Sequence, residues 1–148
     1  MNTFLIIAVS ILLAVSFLLA ILLIVYSGNR RKIEKIVQEK FTKEELLCVN
    51  TKAAFLGIQS TGGRQIRGNG AIVLTREALF FIRAVPCREY KIPIRSIKSV
   101  TMPRSFNGKS VLVPLLCVTY DMGEGEDSMA WALTDVMKWK AAIERMTG

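Results

Sequence analysis

The chain has 148 residues, 51% of them hydrophobic, and carries 20 Lys and Arg against 12 Asp and Glu, a formal net charge of +8. That length excludes a large multidomain enzyme. Three cysteines that form no CxxC pair, in a chain without histidine, exclude the usual zinc sites, and no structural metal is expected.

Residues 3–26, TFLIIAVSILLAVSFLLAILLIVY, contain no charge, no Pro and no Gly. As a helix rising 1.5 Å per residue this run is about 36 Å long, more than the roughly 30 Å hydrocarbon core of a bilayer. A helix is the one single-chain element that satisfies its own backbone groups in lipid, so the run is expected to be a transmembrane helix. It is too long for a signal peptide and has no basic flank in front. Ser10/Ala14 and Ser16/Ala20 offer small-residue faces, but such spacings arise by chance in apolar segments, and self-association is left open.

Arg30, Arg31, Lys32 and Lys35 follow the run directly, whereas nothing before it is basic except the terminal amine. The positive-inside rule then orients the chain as a single-pass protein of the cell membrane, with its N-terminus outside and its C-terminal domain cytoplasmic. Three cysteines, which cannot all pair within one chain, suit that reducing compartment. These four cations serve first as topology signals, although each also gains about 1 kcal/mol near an anionic leaflet. Residues 27–42 read as a basic juxtamembrane stalk helix with Ile33, Ile36, Val37 and Phe41 on one side. Thr42 with Glu45 has the form of a capping box and predicts a separate short helical turn.

Residues 43–148 change pattern, to short strands separated by turn residues. Seven strands are expected near 47–59, 70–75, 79–84, 88–92, 97–102, 111–120 and 127–133. Gly62-Gly63, Arg76-Glu77, Pro86-Cys87, Asn107-Gly108 and Gly123 to Gly125 punctuate them. Thr134 or Asp135 should then cap a last helix whose Val136, Trp139, Ile143 and Met146 form one apolar stripe. The fold class is mainly β (α+β): a partly open antiparallel barrel with a helix as its plug.

The string GNGAIVLTREALFFI, then REYKIPIRSIKSV, a Gly-containing hairpin, a further long strand and a Trp-bearing final helix resemble the bacterial pleckstrin-homology (PH) or GRAM-type domain over residues 43 to 147. The resemblance implies two antiparallel sheets packed nearly orthogonally, with one end closed by the C-terminal helix, and the IPIRSI segment carrying the chain from one sheet to the other. Phosphoinositide-binding members of the wider family use a Lys and then two basic residues separated by one. Here Lys52 is followed by Arg64 and Arg67, separated by two, a departure that argues against tight inositol-phosphate recognition.

No catalytic constellation is visible. Cys48 and Cys117 fall in apolar strands as small hydrophobes, and Cys87 in a turn beside Arg88 is an exposed thiol. The acidic stretch Asp121 to Asp127 reads as a solvated hairpin, and Gly68-Asn69-Gly70 lacks the Lys and Ser/Thr of a phosphate loop and enters a strand. Charge is more informative: residues 64–109 hold ten Lys and Arg against Glu77 and Glu89, and residues 110–148 hold three basic and six acidic side chains. The expected function is a non-enzymatic, cofactor-free module anchored in the lipid bilayer, which engages anionic lipid head groups or the membrane surface through Arg64, Arg67, Arg88, Lys91 and Arg95. The alternative is a protein-interaction or scaffolding subunit of a membrane complex, using a strand edge or the groove beside the last helix. Convergence of the ten cations on one face favours lipid; dispersal favours a protein partner or a purely structural role. Nucleic acid is not an expected partner, since no aromatic stacking strip accompanies the charge.

Overall fold

The computed structural model describes residues 2–65 and 67–148. Its architecture is α+β: an N-terminal helix α1 (Asn2–Lys40), nine strands and a C-terminal helix α2 (Val136–Thr147). The strands are β1 (Cys48–Ile58), β2 (Gly68–Leu74), β3 (Ala78–Arg83), β4 (Arg88–Pro93), β5 (Ile97–Thr101), β6 (Ser105–Phe106), β7 (Lys109–Ser110), β8 (Leu116–Asp121) and β9 (Glu126–Ala132). Seven make one antiparallel sheet in the order β4-β3-β2-β1-β9-β8-β5, and β6 and β7 form a small hairpin of their own.

The expected pair of sheets is thus one sheet, because β1 is long enough to serve both halves. Its first part pairs with β2 and its second with β9. Two register irregularities break it, one between Asn50 and Ala53 within the pairing to β2 and one between Phe55 and Gly57 where the partner changes to β9. The second falls at Gly57, whose φ of +132° is open to glycine and strained for other residues.

The sheet is strongly curled. Seven flat strands at about 4.8 Å spacing would hold β4 and β5 about 29 Å apart. A single turn, Ile94–Ser96, joins these two edge strands, and even fully extended the four steps from Pro93 to Ile97 reach only about 14 Å. The edges therefore approach each other, yet they are not hydrogen-bonded neighbours and the barrel is not closed.

Curling places one apolar core inside and two smaller ones outside. The inner core gathers Phe55, Ile72, Leu74, Phe81, Val118 and Trp131 from the strands, with Val136, Trp139, Ala142 and Ile143 of α2 against them. This is the stripe the sequence predicts for the last helix, with Met146 half-buried at its end. Outside β2 and β3, the residues Ala71, Val73, Ala78, Phe80 and Ile82 are covered by Ile33, Val37 and Phe41. Beyond β8 and β9, Leu56, Cys117 and Ala130 are covered by Phe106 of β6 and by Leu115, which follows the β6–β7 hairpin.

Two local expectations, the strand at 111–120 and the side-chain cap of α2, change, and two others gain detail. The apolar run and the stalk are one continuous helix, since neither Ser27 nor Gly28 interrupts α1. The strand expected at 111–120 begins only at Leu116, because Pro114 has no N–H to offer a ladder. Asp135 occupies the start of α2 with a left-handed φ of +57°, but its carboxylate accepts no capping hydrogen bond. Thr134 instead accepts a hydrogen bond from Asn50 Nδ2 at 3.2 Å. The Thr42–Glu45 pair closes a single turn: Glu45 Oε2 accepts from the Thr42 amide at 2.8 Å, which holds the Glu45 carboxyl below the usual range.

Candidate functional site at the junction of helix and sheet

One face of α1 explains the site. Asn29 and Arg30 lie three and four residues after Tyr26 and four and three before Ile33, and Val37 follows four later, so all five lie on the same side of the helix. Ile33 and Val37 are buried against β2 and β3. Toward the apolar end the helix and sheet diverge, and Tyr26, Asn29, Arg30 and Ile33 wall a cleft of about 270 Å³.

The opposite wall comes from three sequence-distant places. Thr51 and Lys52 lie within the first irregularity of β1, where neither has a partner on β2. The bulge is held by the Asn50 carbonyl side-chain oxygen, which accepts from the Lys52 amide at 2.8 Å. Arg67 precedes β2, Gly68, Asn69 and Gly70 open it, and Ala84 and Val85 follow β3. The glycines are there for close approach: a Cβ on Gly70 would sit 2.1 Å from the Ile82 carbonyl oxygen, and one on Gly68 would sit 2.6 Å from Nε of Arg83. Gly68-Asn69-Gly70 does lead into a strand, as expected, and its small residues let β3 and the Arg83 side chain lie against it.

Among the described residues three cations line this cleft, Arg30, Lys52 and Arg67, and no carboxylate does. Arg30 Nε is 2.8 Å from Glu34 Oε1 one turn further on, so its charge is partly answered. Among the described residues Lys52 and Arg67 have no ion-pair partner, and both are exposed. The arrangement suits a small anion entering between the helix and the strands.

The ten cations of residues 64–109 do not share a face. Phe80 and Arg83 point to opposite sides of β3, and Lys91 lies over the Phe80 ring at 5.6 Å while Arg83 is only 8% exposed. Lys91, Arg95 and Arg76 border a wider groove with Glu77, Pro93, Ile94, Ile97 and Met146. Lys98 is 3.5 Å from Asp121, and Lys109 donates to the Gln65 carbonyl at 2.7 Å. Arg64 and Arg88 are exposed and line neither recess. Of the five predicted contacts, Arg67 alone reaches the junction cleft. Among the juxtamembrane cations, Arg30 joins it, whereas Arg31, Lys32 and Lys35 are exposed elsewhere on α1, Lys35 3.6 Å from Glu39.

The remaining candidates fall as follows. Cys48 is half-buried, Cys87 exposed and Cys117 buried, with burial pushing the Cys117 thiol up. The hairpin Asp121–Glu126 is exposed, but Asp127 is buried, contrary to a wholly solvated loop: its carboxylate accepts from Ser60 N, Ser60 Oγ and Ser128 N. Among the described residues no three His, Cys, Asp or Glu side chains are grouped to hold a metal ion. Tyr26, Asn29 and Thr51 were missed from sequence. The phase of the helix stripe signals the first two, whereas the bulge that exposes Thr51 has no local signature. No protein-family model matches the chain, and no curated protein matches its sequence. What the chain shows by itself is an α+β protein with one N-terminal helix long and apolar enough to span a membrane.

Proposed function

We propose that this is a single-pass membrane protein whose α1 crosses the bilayer through residues 3–26, with its sheet domain on the cytoplasmic side. In this reading the domain is a non-catalytic PH/GRAM-like module that engages anionic lipid head groups. The scatter of the ten cations of residues 64–109 by itself favours a protein partner, and the lipid reading rests instead on a smaller, mostly different set: Arg30, Lys52 and Arg67 line one cleft with Tyr26, where the head groups of the membrane would stand. The PH-like assignment draws support from the strand order β4-β3-β2-β1-β9-β8-β5 and from α2 filling the curl of the sheet. The sequence stretches that prompted the resemblance form β2 to β5.

Ligand linkage supplies the test. Binding to the folded state alone raises stability as ligand rises, so full-length protein should melt higher in zwitterionic micelles as phosphatidylglycerol is added. The Lys52→Gln/Arg67→Gln variant should lose that response, and high salt should weaken it. Equal responses from wild type and variant, or none from wild type at low salt, would remove the proposal. A second reading, recognition of an acidic protein segment, is favoured by the groove where Arg76, Lys91 and Arg95 rim the apolar Pro93, Ile94, Ile97 and Met146 beside the end of α2. Strictly monomeric full-length protein with no co-purifying subunit would count against it.

A further inference from the structure

We infer that the turn between β3 and β4 is a second membrane contact, laying Val85 and Pro86 against the head-group layer of the bilayer that α1 spans. The inference rests on α1 being that span, but not on the lipid charge proposed above. Its starting point is exposure: Val85 is 60% exposed, followed by exposed Pro86 and Cys87, at the tip of an otherwise buried strand. Val85 also lines the same cleft as Tyr26, the last residue of the apolar run.

The heights agree. Phe41 and Phe80 set a common level, their rings 4.9 Å apart edge to face. From Phe41 back to Tyr26 is 15 residues, about 22 Å of helix at 1.5 Å each. From Phe80 the chain is strand to Arg83, and Ala84 and Val85 belong to the turn, so these five residues rise at most about 16 Å at 3.3 Å each. With strand and helix running side by side, Val85 stands about 6 Å or more below the end of the apolar run, close enough to line one cleft with Tyr26, and the polar layer on each side of the hydrocarbon is itself about 5–7 Å thick. Because Ile33, Val37 and Phe41 pin the helix to the sheet, this height is built into the fold. The turn carries no carboxylate, Arg88 directly after it and Arg67 across the cleft are basic, and the next acid, Glu89, is paired with Lys40. An apolar tip with basic shoulders fits a lipid surface.

Site-directed nitroxides in full-length protein, reconstituted in phosphatidylcholine vesicles, test this. Labels are placed at the native Cys87, at Leu19→Cys in the span and at Arg76→Cys in the β2–β3 turn, with Cys48 and Cys117 replaced by Ala. Where loss of Cys117 harms folding, Cys117 is retained, because its burial shields it from label. Collision with oxygen, which concentrates in lipid, is compared with collision with a water-soluble nickel chelate. The expected result is hydrocarbon depth at position 19, interfacial depth at 87 and water at 76, with Val85→Asp moving the label at 87 toward water. Hydrocarbon depth at 19 with 87 as aqueous as 76 overturns the inference and leaves the anchor standing. An aqueous label at 19 overturns both.

Discussion

Replacing Phe41 by alanine tests whether the helix is docked on the sheet as a separate unit. Phe41 is buried at the edge of the outer cluster, with its ring against Phe80 and Lys40 Nζ 5.8 Å from its centroid. Full removal of a core phenylalanine costs about 3–5 kcal/mol. The edge position points to the lower end, about 3 kcal/mol, which is roughly a 10²-fold rise in the undocked population. Ala71 lies wholly buried under α1, so the labelling rate of a thiol at Ala71→Cys reports that opening. Cys117 belongs to the other outer cluster and serves as an internal control. Phe41→Ala should raise labelling at position 71 by about 10²-fold and leave Cys117 slow, and Phe41→Leu should do much less. Unchanged labelling at 71, or a parallel rise at Cys117, would refute the separate docking unit.

Gly70→Ala should destabilise by about 3 kcal/mol or more in chemical denaturation, because the new Cβ meets a backbone oxygen that cannot swing away. Gly28→Ala, with nothing within 4 Å and a helical backbone, should instead stabilise by up to about 1 kcal/mol. A fragment of residues 43–148 should self-associate in light scattering, since it uncovers Ala71, Val73, Phe80 and Ile82, whereas 28–148 keeps Ile33, Val37 and Phe41 and should run as a monodisperse species. Burial first, then the negative charges of Asp127 and Tyr90, push the Tyr120 hydroxyl from 10.0 up to about 12. The unfolded chain then releases this proton first as pH rises, so Tyr120 adds a loss of stability that starts near pH 10 and is complete near pH 12. That loss is at most about 1.4 kcal/mol per pH unit. Melting curves of Tyr120→Phe should show a shallower alkaline decline than wild type, and coincident curves would refute the shift.

What the sequence determined by itself is local. Twenty-four uncharged residues specify a helix of membrane-spanning length, alternation and turn residues specify the strands of the main sheet, and the step from Val136 to Ile143 specifies the face that α2 buries. Each follows from a repeat of two or about four residues, within reach of neighbours along the chain. The rest depends on how distant segments meet in space. Arg30, Lys52 and Arg67 meet because a bulge slips the register of β1 and because α1 docks outside β2 and β3, events that depend on pairings dozens of residues apart. Asp127 turns from loop acid to buried acceptor because Ser60 arrives beside it, 67 positions away in the chain. The ten cations scatter because adjacent residues of a strand face opposite ways, so that proximity in sequence works against proximity in space.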